Sequence, residues 1–371
     1  MSGDPIFSSD DHLWMARAHR LAGRGLFTTD PNPRVGCVLV KSGAVVGEGF
    51  HEYAGGPHAE INALNAAGES ARGATAYVTL EPCSHFGKTP PCSNALIEAG
   101  VARVVVALED PNPEVSGSGT EKIRQAGIEV QSGLMSEGTE QANPGFLSRM
   151  RSGRPYLRLK MAMSLDGRTA MSSGESQWIT GPPARMDVQH LRARSSAILT
   201  GIGTVLADDP SLNVRDIDEL FGQPLRVIVD PDGKTPSSAK FFSIEGEILM
   251  ATATDCAIPA GWSDHEGVEI IQLDRSGSGL DLHQLIGELA EREVNEIHVE
   301  SGATLAGALL QQKLVDEIII YTAPILMGSN ARPLFELPIE KMSRKIPLKI
   351  EDIRMVGDDL RMTIKPQFVY P

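Results

Sequence analysis

Three side chains of metal-ligating types, spaced along the first hundred residues, restrict how this chain can fold. His58 follows Pro57, Cys83 follows Pro82, and Cys92 comes after eight further residues. Ligands of one metal ion must approach one another closely, so the fold has to bring these separate segments together at one point. The same pattern then also locates the candidate chemistry.

Two thiolates and one imidazole form a three-ligand set that leaves the fourth position of a tetrahedral Zn²⁺ open to water. Zinc bound in this way lowers the pKa of water toward neutrality. In zinc deaminases a glutamate two residues after the histidine moves protons without binding the metal. Glu60 stands two residues after His58. The pattern therefore predicts a catalytic zinc site with His58, Cys83 and Cys92 as ligands and Glu60 as the catalytic proton carrier.

The histidine and the glutamate can face one ion only at the start of a helix, because residues two apart in mid-helix do not share a face. Pro57 favours a helix start beside His58, and Pro91 does the same for Cys92. Both ligands are then expected at the positive ends of helices, which favour thiolate and hydroxide.

Two other interpretations of these residues stay open at this point. A lone His-x-Glu and buried single cysteines arise by chance, although the joint pattern is much rarer. A structural zinc would take a fourth protein ligand, which His85 could supply from between the two cysteines. Of the other cysteines, Cys37 is predicted to be a small core residue and Cys256 a loop residue without a partner.

The chain alternates short β-rich runs with segments of helical spacing, which predicts an α/β fold. A polar stretch, Asn143–Pro155, interrupts the pattern, so we expect domains at residues 1–150 and 151–371. Predicted helices are Asp11–Arg24, His58–Ala67, Cys92–Ala99, Glu121–Ala126, Pro183–Arg194 and Gly302–Gln312. Predicted strands are Val35–Val40, Val45–Phe50, Thr75–Leu80, Arg103–Leu108, Glu129–Gln131, Tyr156–Met161, Ala197–Thr200, Arg226–Val229, Ile248–Ala251, Ile297–Glu300 and Glu317–Pro324.

Charge and hydropathy exclude several classes of protein. The chain has 48 acidic and 34 basic side chains, and residues 1–150 alone have 17 acidic and 11 basic ones. A nucleic-acid partner is not expected, because such binding needs an excess of basic groups. The start of the chain lacks the pattern of a secretory signal, and no run approaches the roughly 18 apolar residues of a membrane span. We therefore expect a cytoplasmic protein that acts on a small molecule without membrane contact.

Longer stretches of the sequence resemble one known family. They are residues 32–37 (NPRVGC), 49–51 (GFH), 82–92 (PCSHFGKTPPC), 160–168 (KMAMSLDGR), 176–180 (SQWIT), 201–210 (GIGTVLADDP) and 300–307 (ESGATLAG). Over nearly its whole length the chain resembles the RibD family of bifunctional riboflavin-biosynthesis enzymes.

This resemblance implies two domains with two activities. The first is a cytidine-deaminase-like three-layer domain that removes the 2-amino group of 2,5-diamino-6-ribosylamino-4(3H)-pyrimidinone 5′-phosphate. The second is a dihydrofolate-reductase-like domain that uses NADPH to reduce the ribosyl group to ribityl. A homo-oligomer is also implied, because fused enzymes of this type often associate through the reductase half.

The resemblance also implies roles for individual residues. One Zn²⁺ per deaminase domain would be held by His58, Cys83 and Cys92, with Glu60 as proton donor. Contacts to the pyrimidine and its phosphate are implied for Asn32, His51, His85 and Lys88. NADPH contacts are implied for Ala162, Trp178, Thr204, Asp208, Gly302, Ala303, Thr304, Leu305, Ala306, Gly307 and Ala308. Contacts to the reductase substrate are implied for Ser176, Arg192, Leu212, Arg215 and Glu300.

The residues of the second half support these roles unequally. No Gly-x-Gly-x-x-Gly follows a strand, but free amides at the helix start after Gly302 would suit a pyrophosphate. Arg192 and Arg215 suit a sugar phosphate because a guanidinium binds phosphate with two hydrogen bonds, although Arg192 could equally lie on a solvated helix face. Asp208 could be a turn residue. Lys160 could assist protonation or bind phosphate.

Three other functions are also compatible with the sequence. One is an active deaminase with a reductase-like domain that only binds ligand or acts as a scaffold. Another is a nucleic-acid base deaminase, which the acidic first half disfavours. The last is a zinc-binding module without activity, which the open zinc position and the adjacent Glu60 disfavour.

Overall fold

The computed structural model describes residues 7–84, 91–112, 116–218 and 222–368. The chain divides into two compact units, Met1–Gly153 and Arg154–Pro371. Each unit has its own sheet and its own apolar core. Among the helices in the described ranges, none is both long and apolar enough to cross a membrane.

The first unit is built on a sheet flanked by helices. Its strands are β1 (Gly36–Lys41), β2 (Ala44–Phe50), β3 (Thr75–Leu80), β4 (Arg103–Leu108) and β5 (Glu129–Ser132). Its helices are α1 (Ser9–Ala22), α2 (Ala59–Ala67), α3 (Cys92–Ala99), α4 (Ser118–Gln125), α5 (Ser136–Ala142) and α6 (Pro144–Ser152). The described strands lie in the order β2-β1-β3-β4-β5, in which β1 is antiparallel to both neighbours and β3, β4 and β5 are parallel.

Strand β1 shows why this unit has three layers. Successive side chains of a strand point to opposite faces, and here both sets are apolar. Cys37 and Leu39 are buried in the core that includes α2 and α3, whereas Val38 and Val40 are buried in the core that includes α1. A strand that is buried on both faces needs helices on both sides. The prediction that Cys37 is a core residue is confirmed.

The polar segment at residues 143–155, in which the sequence analysis places the domain boundary, contains a helix that the sequence analysis does not predict. The segment contains helix α6, which has Pro144 in its first turn and ends at Gly153 in the left-handed conformation. Proline suits a first helical turn because it lacks only an N–H that would be unbonded there, and glycine adopts a positive φ without strain. Phe146 and Leu147 give the helix a buried face despite its polar composition.

The second unit is built on a larger mixed sheet. Its strands are β6 (Tyr156–Ser164), β7 (Arg168–Ala170), β8 (Ala197–Gly201), β9 (Leu225–Val229), β10 (Ile248–Ala253), β11 (Val268–Leu273), β12 (Arg275–Ser276), β13 (Gly279–Leu280), β14 (Glu296–Glu300), β15 (Glu317–Ala323), β16 (Arg332–Pro333), β17 (Leu348–Val356) and β18 (Asp359–Pro366). Its helices are α7 (Pro182–Ala193), α8 (Ile202–Asp208), α9 (Leu282–Glu291) and α10 (Ala303–Gln311).

Within the described residues, nine of these strands form one sheet in the order β11-β10-β9-β8-β14-β6-β15-β18-β17. Neighbouring strands from β11 to β15 are parallel, so their carboxyl ends lie along one edge of the sheet. Strands β17 and β18 add an antiparallel hairpin at the other end of the order. The sequence analysis does not predict this hairpin or helix α9. Ligands of open parallel sheets bind beyond the carboxyl ends of the strands.

Candidate metal centre and ligand cavity

The three predicted metal ligands converge in the first unit. His58 is the N-cap residue of α2, Cys92 is the first residue of α3, and Cys83 lies shortly after the end of β3. Their ligand atoms all lie within 4.8 Å of one another. Nδ1 of His58 is 3.3 Å from the Cys92 Sγ and 3.6 Å from the Cys83 Sγ. This donor set fits a catalytic zinc ion, because three nitrogen and sulfur ligands leave one position open.

Helix α3 stabilises the thiolate of Cys83. The backbone N–H of Cys92 donates to the Cys83 Sγ at 3.3 Å, and the N–H of Ser93 donates to the Cys83 carbonyl at 3.1 Å. A hydrogen bond from the Cys92 side chain lowers the pKa of the Cys83 thiol. The hydrogen bond to Cys83 and burial raise the pKa of the Cys92 thiol, so the thiolate expected for Cys92 at the start of α3 is found instead at Cys83, which receives the Cys92 N–H.

Glu60 lies in the first turn of α2 and is buried, with 3% of its surface exposed. Burial raises the pKa of Glu60 to about 7, while the nearby His58 opposes this shift. A carboxyl group with a pKa near neutrality can both accept and release a proton under physiological conditions. Its position beside the ligands suits the predicted role as proton carrier.

His51 and Asn32 lie beside the three ligands. The His51 ring meets the His58 ring edge-on, with 5.4 Å between ring centres. Nδ1 of His51 lies 3.0 Å from the Pro57 carbonyl oxygen, which only accepts, so Nδ1 must carry the proton. Nε2 then accepts from the Asn32 side-chain amide at 3.0 Å. Burial lowers the pKa of His51, in agreement with this neutral form of the ring. The predicted contacts His85 and Lys88 lie outside the described residues.

The second unit contains a cavity of about 1290 Å³ beyond the carboxyl ends of its parallel strands. Pockets for one small ligand usually measure about 300–1,000 Å³, so this cavity is larger than one such ligand needs. It is lined by most of the residues that the sequence analysis assigned to NADPH and to the reductase substrate. These are Ala162, Ser176, Trp178, Arg192, Thr204, Asp208, Leu212, Arg215, Glu300, Gly302, Ala303, Thr304, Leu305 and Ala308.

Two residues of the predicted cofactor segment do not line this cavity. Ala306 is fully buried in the apolar core of the unit. A Cβ placed on Gly307 would lie 2.2 Å from the backbone oxygen of Glu336, so glycine is needed for close packing at this point. Helical periodicity explains the difference, because successive residues of α10 face different directions. Ala306 and Gly307 position the helix, while its start faces the cavity.

Arg192 and Glu300 form a buried ion pair in the cavity wall. Arg192 donates two hydrogen bonds to the Glu300 carboxylate, at 2.5 and 3.0 Å, and a third to the Asn213 carbonyl at 2.8 Å. Burial opposes ionisation of Glu300, but Arg192 and the adjacent His298 hold its pKa well below the usual range. Arg192 is therefore not on a solvated helix face, and its guanidinium is already neutralised.

Arg215 is a more accessible cation on the same cavity. It is exposed, and its guanidinium donates to the Ser211 hydroxyl at 2.8 Å. Its backbone N–H donates to the Gln189 side chain at 3.0 Å, which fixes the local chain. No ion pair involves Arg215 among the residues that the structure describes. Its charge is therefore available to an anionic ligand.

Several further side chains complete the cavity. Lys160 lines it and lies opposite Glu300 in the parallel register of β6 and β14, and burial lowers the pKa of its amine. Asp208 accepts a hydrogen bond from Ser176 at 3.1 Å, so two predicted contacts are paired. Trp178 is 69% exposed. The sequence leaves the role of Lys160 open. It does not predict that Gln189 lines the cavity; the only indication in the sequence is that Gln189 lies on the same helix as Arg192.

Two family models match the chain. The RibD C-terminal domain matches residues 155–362, and the cytidine and deoxycytidylate deaminase zinc-binding region matches residues 8–108. The first match alone spans more than half of the chain. The chain belongs to the RibD family. Its first domain is cytidine-deaminase-like, its second is a RibD reductase domain, and together they make a bifunctional deaminase and reductase.

Curated relatives and solved structures agree with this membership in the RibD family. The RibD protein of Escherichia coli is 52% identical, with 94% of this chain and 98% of the relative covered. The RibD protein of Haemophilus influenzae is 49% identical, with 98% and 99% covered. The structure of Acinetobacter baumannii RibD has a TM-score of 0.90 at 46% identity, covering 97% of this chain and 99% of that one. A Thermotoga maritima deaminase/reductase structure has a TM-score of 0.87 at 34% identity, covering 96% and 99%.

Proposed function

We propose that the unit Met1–Gly153 carries the deaminase site and the unit Arg154–Pro371 carries the reductase site. The substrate is 2,5-diamino-6-ribosylamino-4(3H)-pyrimidinone 5′-phosphate. It first loses its 2-amino group, and its ribosyl group is then reduced to ribityl with NADPH. The observation that carries this proposal is the convergence of His58, Cys83 and Cys92 beside the buried Glu60.

In the deaminase site, His58, Cys83 and Cys92 hold Zn²⁺. Zinc supplies Lewis acidity that makes a water molecule acidic enough to attack at neutral pH. Glu60 accepts the proton of the attacking water and passes it to the departing amine. Water thus adds at the carbon that bears the amino group, that C–N bond breaks, and ammonia leaves. Asn32 and the neutral His51 bind the pyrimidine, and His85 and Lys88 contribute to its pocket.

In the reductase site, the chain orients two ligands in the cavity. NADPH supplies the hydride, and the protein supplies position and exclusion of water. The starts of α8 and α10 are capped by Gly201 and Gly302 without a side-chain hydrogen bond, which leaves backbone N–H groups for phosphate oxygens. Arg215 binds the sugar phosphate. Arg192 is paired with Glu300, so it acts by fixing that carboxylate toward the sugar hydroxyls.

We also propose the partners of the protein and its location in the cell. The protein acts on a small molecule in the cytoplasm, without nucleic acid or membrane as partner. It is a homo-oligomer, and an exposed apolar face on the hairpin of β17 and β18 supports this. Leu348, Ile350, Ile353 and Met355 are each about half exposed or more.

The experiment that tests the proposal follows two products in one reaction. The purified protein is incubated with the diaminopyrimidinone ribosyl phosphate, first without NADPH and then with it. We expect ammonia release without NADPH, and loss of absorbance at the NADPH band once the cofactor is added. Ammonia without any NADPH oxidation would favour the alternative in which the second domain only binds ligand or acts as a scaffold. Absence of ammonia from zinc-loaded protein would contradict the deaminase assignment.

A further inference from the structure

Glu81 is a buried carboxylate beside the metal ligands that the proposed reaction does not use. It lies between the end of β3 and Pro82–Cys83, and 4% of its surface is exposed. Its two oxygens accept five hydrogen bonds. The donors are the backbone N–H groups of Asp110 (3.2 Å), Gly117 (2.9 Å), Gly119 (3.0 Å) and Thr120 (3.0 Å) and the Thr120 hydroxyl (3.3 Å).

Most of these donors belong to the start of helix α4. The first N–H groups of a helix have no partner within it, and a carboxylate placed there satisfies them and complements the helix dipole. The chain also approaches this helix closely, because a Cβ on Gly119 would lie 1.9 Å from the Pro82 carbonyl oxygen. Glu81 and Pro82 are therefore seated directly on the α4 start.

Cys83 is held from the opposite side by the start of α3. The N–H of Cys92 donates to its sulfur and the N–H of Ser93 donates to its carbonyl. The short segment that presents the Cys83 thiolate is thus fixed at one end by α4, through Glu81, and at the other by α3. A free loop would have to lose this conformational freedom each time it bound a metal ion.

We propose that Glu81 is a positioning residue that holds the Cys83 thiolate in place for zinc. The inference rests on the zinc site of the proposed function. All five partners donate to Glu81, so an amide in its place cannot reproduce the arrangement. Glutamine has one acceptor oxygen and an NH₂ group that would face backbone N–H groups.

The test compares Glu81→Gln with Glu121→Gln in the full chain. Glu121 lies in the first turn of the same helix, and its side chain is exposed, so this control removes the same charge without touching the Glu81 contacts. Each zinc-loaded variant is challenged with a chelator to obtain the zinc dissociation constant. Each is also loaded with Co²⁺, whose absorption bands report the geometry around the metal.

We expect Glu81→Gln to weaken zinc binding by about 10-fold to 100-fold, the range for removing a group that orients a ligand, and to shift the cobalt bands. Glu121→Gln should keep both wild-type values, and NADPH-dependent reduction of supplied deaminated substrate should persist in both variants. A Glu81→Gln protein with the wild-type dissociation constant and cobalt spectrum would overturn the proposal, even if it unfolded at a lower temperature. A wild-type protein that bound no zinc would instead overturn the proposed function.

Thr120→Val provides a second variant if Glu81→Gln does not fold. It removes the hydroxyl, which lies 3.3 Å from the Glu81 carboxylate and 3.1 Å from the Gly117 carbonyl oxygen, and it keeps the backbone hydrogen bonds to Glu81. A smaller weakening of zinc binding, with the same direction of shift in the cobalt bands, is expected. Unchanged values for both measurements would overturn the proposal.

Discussion

Burial of the Glu60 side chain suits this single residue to its proposed role as proton carrier. Most glutamates of this chain are exposed, but Glu60 is not, and burial raises its pKa to about 7. Its neighbours in space are the three metal ligands that the sequence spacing predicts. The proposed deamination therefore depends on one carboxyl group, which can be replaced without removing a candidate metal ligand.

Replacing Glu60 by glutamine should separate the two activities. The glutamine would keep the size of the side chain but could not carry a proton, so we expect deamination to fall by about 10²-fold to 10⁴-fold. Zinc content should stay at the wild-type value, and reduction of supplied deaminated substrate should continue. Metal analysis, ammonia release and NADPH oxidation measure these three quantities. The exposed Glu69→Gln is the control, and joint loss of both activities would contradict the two-site assignment.

In the reductase half, Arg215 is the residue whose substitution has the clearest expected effect. Its guanidinium is accessible on the cavity, whereas that of Arg192 is paired with Glu300. Arg215→Ala should raise the Michaelis constant of the reductase substrate roughly 10-fold to 100-fold, because a hydrogen bond to a charged group contributes about 1.5–3 kcal/mol. Steady-state kinetics with varied substrate measure this effect, and zinc content should not change. An unaltered Michaelis constant would remove Arg215 from the phosphate site.

At the scale of elements, helix starts recur at both sites. The starts of α2 and α3 carry two of the three candidate metal ligands, the start of α4 binds Glu81, and the start of α10 faces the cavity. These helices follow strands whose carboxyl ends lie at one edge of their sheet, which places the positive helix ends at the candidate sites. The sequence predicted α2, α3 and α10 because proline or glycine marks their starts.

Helix α10 packs closely against the backbone of Glu336, and this contact can be tested by substitution. Gly307→Ala places a Cβ 2.2 Å from a backbone oxygen, so the helix or the Glu336 segment must move. Overpacking of this kind costs about 1–3 kcal/mol, and we expect lower thermal stability and weaker NADPH binding. Gly287→Ala in α9 is the matched control, because nothing lies within 4 Å of its Cβ position. Calorimetry and cofactor titration compare the two, and equal behaviour would contradict the packing argument.

At the scale of the whole molecule, each unit contains one of the two candidate sites. The ligand set and Glu60 lie within the first unit, and all described lining residues of the large cavity lie within the second. This arrangement explains why a substitution in one site is expected to leave the other activity intact. The second unit also carries the exposed edge hairpin of β17 and β18, where we propose that copies of the chain associate.

Strand β17 lies at the end of the nine-stranded sheet and carries a β-bulge between Ile350 and Asp352. Because side chains alternate along a strand, the extra residue brings Ile353 and Met355 to the same face as Leu348 and Ile350. An apolar stripe on an edge strand is a surface that stable proteins cover. In the proposed homo-oligomer, a second copy of the chain would cover this exposed stripe.

Ile353→Glu should therefore shift the protein toward the monomer. A buried carboxylate at the interface would lose its hydration without a partner, so association should weaken. Sedimentation velocity of the wild-type and variant proteins measures the oligomeric state. Arg354→Glu, on the opposite face of the strand, is the control. A monomeric wild-type protein, or an oligomer unaffected by Ile353→Glu, would contradict this interface.

The sequence by itself determined the elements whose signals are local. Proline before His58 and Cys92, the continuous apolar run of β1 and the glycine shortly after Glu300 each act on their own short segment. The residues that depend on distant partners were not predictable in this way. The pairing of Arg192 with Glu300 and the hydrogen bonds of Glu81 join segments far apart in the chain, so only the tertiary structure decided them. It also decided which side of α10 meets the cavity, because that choice depends on what packs against the helix.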